Sequence, residues 1–151
     1  MRTFSSINDI LDFAIENERE SFSFYTDLAL TVGQESVKAL LADFAREEDK
    51  HRERLEAVRR GNLDSFGQVL AQNLKIADYL VDVEPYPDME YQDALIVAMN
   101  KEKAAFKLYM DLSSRISDAA MKSLFLALAQ EEAKHKLVFE IEYDDVVYNE
   151  N

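Results

Sequence analysis

Residues 47–51 read EEDKH, and residues 131–135 read EEAKH. The chain of 151 residues has two histidines, and these pentapeptides hold both of them. In each, a glutamate stands three places before the histidine: Glu48 before His51, and Glu132 before His135. On a helix, positions i and i+3 share a face, so each pair presents a carboxylate and an imidazole in the same direction. The neighbouring residues tell whether that direction is water or core.

Working outward from His51, the positions Val37, Leu41, Phe44, Glu48, His51, Leu55 and Val58 follow one another at alternating steps of four and three. This is the seam of a helix packed in a bundle. Around His135 the same steps give Met121, Phe125, Leu128, Glu132, His135, Phe139 and Glu142. Both Glu-x-x-His pairs therefore occupy core positions. Upstream, residues 7–30 carry apolar side chains at 7, 10, 11, 14, 15, 22, 25 and 28, the spacing of an amphipathic helix. Glu18 falls on that stripe, between Leu11 or Ala14 on one side and Phe22 and Tyr25 on the other. Glu102 falls likewise between Leu95, Ala98 and Phe106, Tyr109.

A shift of 84 residues lays the first half of the chain over the second without a gap. Sixteen positions of residues 9–56 are then identical with 93–140, among them Glu18/Glu102, Phe22/Phe106, Tyr25/Tyr109, Glu48/Glu132 and His51/His135. Two helical hairpins of one design are expected. Helices are predicted over about 7–30, 36–60, 89–114 and 119–142. Ser6 with Asp9 would start the first in the manner of a capping box, and Gly33 and Gly61 would end the first two. Hairpin 1 then covers about 6–60 and hairpin 2 about 89–142. Residues 61–88, with Pro85 and Pro87, form a long crossover with one or two short helical pieces, and a short tail follows residue 142. The expected fold class is all-α: a four-helix bundle, one domain over 1–151, made of two antiparallel hairpins joined by the long crossover.

Composition narrows the function. The formal charge of −13 opposes binding to nucleic acid or to an anionic membrane. Cysteine is absent, which removes disulfides, thiolate metal sites and thiol catalysis. The start, MRTFSSINDILDF, has no apolar run like a signal-peptide core, and no stretch reaches the roughly 18 apolar residues that span a bilayer. A cytoplasmic location is the expectation.

In an antiparallel hairpin, residues at one height are equidistant from the turn. The midpoint between Glu18 and the 48/51 pair falls near residue 34, and that between Glu102 and the 132/135 pair near 118. Both hairpins thus carry their polar groups at one height, roughly 22 Å from the turn. Four carboxylates meeting at mid-height of a core would repel one another and be costly to desolvate. Two divalent cations cancel that charge. Carboxylates with one neutral imidazole per ion suit iron or manganese better than calcium. The set of Glu18, Glu48, His51, Glu102, Glu132 and His135 is the pattern of di-iron and di-manganese carboxylate bundles. Glu47 and Glu131 precede ligands but fall on the solvent side of the heptad. Tyr25 and Tyr109 fit two roles equally, core aromatic or hydrogen-bond donor to the carboxylates.

With ENERESFSFY (16–25), FAREEDKH (44–51), DMEYQDALIVAMNKEKAAFKLY (88–109) and LAQEEAKH (128–135), the chain resembles the rubrerythrin-like branch of the ferritin-like di-iron carboxylate superfamily over nearly its whole length. The resemblance implies that Glu18 and His51 hold one iron, Glu102 and His135 the other, and that Glu48 and Glu132 bridge them. It also implies reduction of peroxide, and pairing into a homodimer. The cysteine-ligated rubredoxin domain of full-length rubrerythrins is missing, so electrons would come from a separate, rubredoxin-like donor protein. Many rubrerythrins carry a further glutamate one turn after the third-helix ligand. That place is Ala105 here, and its counterpart is Ser21, which makes the six-ligand set closer to that of bacterioferritin. Three functions are therefore expected in this order: a di-iron peroxidase; a ferroxidase or iron-handling protein using oxygen; and a helical interaction module with a vestigial site.

Overall fold

The computed structural model describes residues 3–61, 74–81, 85, 86 and 88–150. Four long helices make up most of them: α1 (Ile7–Thr31), α2 (Glu35–Arg60), α3 (Tyr91–Arg115) and α4 (Ala119–Glu150). The chain divides into two compact units, Met1–Ile76 and Ala77–Asn151, and each unit contains one hairpin. Most of the expected crossover (62–73, 82–84 and 87) lies outside the described residues. Of its predicted helical pieces, one 3₁₀ turn is described, at Ile76–Tyr79. No helix among the described residues is long and apolar enough to cross a membrane.

In the first unit α1 starts where the sequence suggests. The Ser6 side chain accepts a hydrogen bond from the Asp9 amide at 3.1 Å, and the Asp9 carboxylate reaches back to the Ser5 amide at 3.2 Å. The reciprocal bond therefore closes on Ser5, one residue before the cap. Three residues, 32–34, separate α1 from α2. Such a short link forces the helices antiparallel. Two bonds across the hairpin keep its register: Arg59 Nε donates to Asp12 Oδ1 at 2.9 Å, and Arg19 Nη2 to Glu56 Oε1 at 2.8 Å. Ahead of α1, the Phe4 amide bonds to the Leu74 carbonyl at 3.3 Å, next to an antiparallel bridge between Thr3 and Lys75. Phe4 is buried and meets Phe13 edge-on at 5.3 Å.

Gly33 is not the helical stop that the sequence suggests. The helix ends at Thr31, whose hydroxyl donates to the Leu28 carbonyl at 2.9 Å, while the Val32 amide bonds to the same oxygen at 3.2 Å. The extended Val32 (φ −77°, ψ 147°) turns the chain away. The φ of Gly33 is outside the left-handed range, and a Cβ there would meet nothing within 4 Å.

The second unit repeats the design with different polar clamps. The Asp118 side chain caps α4 by accepting from the Met121 amide at 2.9 Å. Tyr91 donates its hydroxyl to Glu142 Oε1 at 3.0 Å, linking the far ends of α3 and α4. Tyr79, on the 3₁₀ turn, is buried and donates to Asp111 Oδ2 at 2.7 Å, with the Lys107 ammonium 5.0 Å from its ring centre. Burial first, and then the bond to Asp111, raise the Tyr79 phenol above its ordinary value of 10.0. The tail beyond residue 142 continues as helix to Glu150. No glycine or proline interrupts it, and Gln92 Nε2 reaches the Tyr143 hydroxyl at 3.5 Å.

The apolar stripe differs from expectation at one pair of positions. In α1 the buried seam is Ile7, Leu11, Ala14, Glu18, Ser21, Tyr25 and Leu28, again in steps of four and three. Ser21 holds the place between Glu18 and Tyr25, whereas Phe22 is 37 % exposed. In α3 Ala105 is half-buried at the equivalent place, and Phe106 is 36 % exposed. The large rings lie at the rim of each hairpin and the small residues in its seam.

Two substitutions check this description. Gly33→Ala should stabilise the chain by about 0.5 kcal/mol in a denaturant titration, because alanine restricts the unfolded state and clashes with nothing. A glycine held in the left-handed region would give a loss instead. Tyr79→Phe should cost about 1.5 kcal/mol, the worth of a buried hydrogen bond to a charged acceptor. Because the raised phenol favours the protonated folded state, this difference should be full below pH 10.0 and shrink as the pH rises above it.

Candidate metal centre

Each hairpin gathers three of the sequence-predicted donors. In the first, Glu18 on α1 and Glu48 and His51 on α2 are buried, at 2 %, 1 % and 2 % exposure. One ligand atom from each lies within 4.8 Å of the other two. His51 Nδ1 is 3.7 Å from Glu18 Oε2 and 3.8 Å from Glu48 Oε1. In the second hairpin, Glu102 on α3 and Glu132 and His135 on α4 are buried in the same way and also lie within 4.8 Å of one another. His135 Nδ1 is 3.5 Å from Glu102 Oε1.

These placements follow from the local sequence. The three-residue links, 32–34 and 116–118, sit midway between each glutamate and its facing Glu-x-x-His pair. The antiparallel return therefore sets Glu18 level with 48/51 and Glu102 level with 132/135. The seam then turns all six inward. Among the described residues, these six are the only Asp, Glu, Lys, Arg or His side chains that are buried.

The separations between imidazole nitrogen and carboxylate oxygen are close to those of two donors on one cation. A distance of 3.5–3.8 Å is long for a hydrogen bond. Two donors each ~2.1 Å from a shared ion and ~90–120° apart around it lie ~3.0–3.6 Å from each other. Two carboxylates and one imidazole, acceptors all when the imidazole nitrogen is unprotonated, are a hard-to-intermediate oxygen and nitrogen set. The donor set therefore fits a divalent transition ion in each hairpin.

The surroundings sort the remaining candidates. Glu47 is exposed as expected, and so is Lys50. Glu131 is half-buried, a departure from its expected solvent-facing place, although its position in the repeat is the same. Tyr25 and Tyr109 are fully buried, and Tyr109 stacks on Phe125 with ring centres 6.3 Å apart. Ser21 and Ala105 were noted in the sequence only as lacking a carboxylate. The heptad count through Glu18 and Glu102 was the signal that places them in the seam. Outside, Arg52 holds Asp49 at 2.9 Å and Glu56 at 2.6 Å, a surface network on the back of α2.

Comparison with known proteins points the same way. The rubrerythrin family model matches residues 9–83. No curated protein matches the chain. Among solved structures, a Thermotoga maritima protein described as a ferritin-like diiron-carboxylate protein is similar, at 19 % identity and a TM-score of 0.78 over 97 % of this chain and 99 % of that one. A hypothetical protein of Pyrococcus furiosus is similar at 23 % identity and a TM-score of 0.70, over 93 % of this chain and 90 % of that one. At such identities the likeness is one of fold, and that fold is the ferritin-like four-helix bundle expected from the sequence. With the family match over residues 9–83 and the paired Glu, Glu-x-x-His hairpins, the chain is similar to the rubrerythrin family in sequence and to a ferritin-like diiron-carboxylate protein in fold.

Proposed function

We propose that residues 1–151 close as one domain in which the two clusters form a single dinuclear iron centre, and that the protein is a non-haem oxidoreductase reducing hydrogen peroxide. The observation that carries this reading is the burial of Glu18, Glu48, His51, Glu102, Glu132 and His135 in a chain similar to the rubrerythrin family. Glu18 and His51 would hold one iron, Glu102 and His135 the other, and Glu48 and Glu132 would bridge. Two divalent ions balance the charge of the four buried carboxylates. When bound in the ferrous state, the pair supplies the two electrons that reductive cleavage of an O–O bond requires.

The chain's own residues hold and shield. The carboxylates and imidazoles fix the positions of the ions. Ala14 and Leu55 in the first hairpin, and Ala98 and Phe139 in the second, are buried about one helical turn from these side chains and keep that level of the seam apolar. In this reading electrons come from a separate donor protein of rubredoxin-like kind. A cytoplasmic homodimer completes the reading. Manganese satisfies the same donors.

One observation favours a second reading, a ferroxidase in which Fe(II) is the substrate and oxygen the oxidant. Ser21 and Ala105 occupy the seam one turn after Glu18 and Glu102, so neither hairpin offers the further carboxylate that many rubrerythrins have there. Rapid mixing of the reduced protein with peroxide or with oxygen separates the two. The peroxidase reading expects faster oxidation by peroxide; much faster oxidation by oxygen would replace it with the second.

Metal analysis tests the centre itself. The protein purified without chelator should hold two ions per chain. Glu48→Ala and His135→Ala should lose metal, and Glu47→Ala should keep it. A chain that binds no metal even after reconstitution would leave only the interaction module.

A further inference from the structure

We propose that two copies of this chain meet along the outer face of α4, antiparallel, with the twofold axis crossing both helices near residue 139. The proposal rests on the homodimer of the reading above and deepens it by naming the residues that join it.

Helix α4 carries apolar side chains on two faces. Phe125, Leu128 and Phe139 are buried in the seam, whereas Leu137, Ile141 and Tyr148 are 57 %, 54 % and 82 % exposed. At about 100° per residue these three lie within about 40° of one another, on the side of α4 opposite the seam. A helix that is apolar on both sides is one that is covered on both sides. The first hairpin lacks this feature. At the shift of 84 residues, Leu137 and Ile141 fall on Glu53 and Ala57, and Asp144 on Arg60. The matching face of α2 is therefore an ordinary charged one, and the apolar pair is a departure from the repeat.

The charges around the stripe identify its occupant. In an antiparallel pairing of α4 with itself, residues equidistant from the axis stand level. With the axis at residue 139, Leu137 faces Ile141 of the second copy, and the exposed Lys134 faces the exposed Asp144 of the second copy, with Asp145 next to it. The twofold makes each contact twice. An apolar centre of two leucines and two isoleucines is then flanked at both ends by a lysine opposite two aspartates. A chain of formal charge −13 repels its own copies in most orientations. This register sets opposite charges against each other where the helices touch.

Sedimentation equilibrium of the full chain tests the proposal. The unsubstituted chain should be a dimer. Leu137→Glu with Ile141→Glu should weaken that dimer by roughly a hundredfold, while Ala57→Glu, at the matching place on α2, should leave it unchanged. Lys134→Glu, or Asp144→Lys with Asp145→Lys, sets like charges level with one another and should weaken the dimer by roughly tenfold. Mixing these two variants restores opposite charges at both ends. The mixture should dimerise within about threefold of the unsubstituted chain, which also carries the test if the double glutamate variant does not fold.

A dimer indifferent to Leu137→Glu with Ile141→Glu, or a mixture no tighter than its components, overturns the proposal and leaves the homodimer standing on another face. A monomeric unsubstituted chain overturns the face and the homodimer together. If such a monomer also unfolds more readily with Leu137→Glu and Ile141→Glu, the stripe is covered by the chain itself. Metal content, measured on the same samples, reports separately on the dinuclear centre.

Discussion

Each hairpin places two glutamates and a histidine where a helical bundle would ordinarily have leucine. Moving an ionised carboxylate from water to an apolar seam costs several kcal/mol unless a partner compensates, and each such position also forgoes the ~1.5–3 kcal/mol of a buried aliphatic side chain. The remaining structure is arranged around that cost. Ile10, Leu11, Leu41 and Leu55 in the first hairpin are wholly buried, as are Leu95, Leu112, Phe125 and Leu128 in the second. They form apolar layers on both sides of the charged level. Among the described residues four acidic side chains are buried, and all four lie at these two places.

The two halves agree inside and differ outside. The buried Glu18, Tyr25, Leu28, Ala45, Glu48 and His51 all recur 84 residues later as the same residue types, and the copies are buried too. The clamps that hold each hairpin do not recur. Arginine–carboxylate pairs tie α1 to α2, whereas a tyrosine hydroxyl and a glutamine amide tie α3 to α4. A seam admits few solutions because close packing and charge balance act together there. A solvated clamp has many equivalents, each worth little on its own. The likeness between the halves therefore tracks the buried Glu and His side chains and their apolar neighbours.

Most of the site was legible before any coordinates. Glu48, His51, Glu132 and His135 stand on strict heptads, and a period of 3.5 over seven positions leaves little freedom about which way a side chain turns. Turn positions were legible as midpoints, because equal helix lengths on either side of a link put facing residues at equal distances from it. The details that failed depend on competition between local options. Gly33 has the composition of a cap, yet Thr31 and Val32 stop the helix first by taking the Leu28 carbonyl. The last helix was expected to end near residue 142, but no breaker follows, and it runs on to Glu150 with Gln92 reaching Tyr143.

The sequence by itself determined the four helices, their pairing into hairpins and the six inward-facing Glu and His side chains. Periodicity and repetition are properties of the chain alone. Tertiary structure decided which neighbour shares the seam with each glutamate. On an isolated helix residue 22 lies about 40° from Glu18 and residue 21 about 60° on the other side, so the pattern alone favours Phe22. The facing helix of the hairpin selects a 3.5-residue seam instead, and that puts the small Ser21 inside and leaves Phe22 at the rim. The same choice falls on Ala105 over Phe106 in the second hairpin. It also set the donors 3.5–3.8 Å apart, because only packing against a partner fixes side-chain depth and not merely direction.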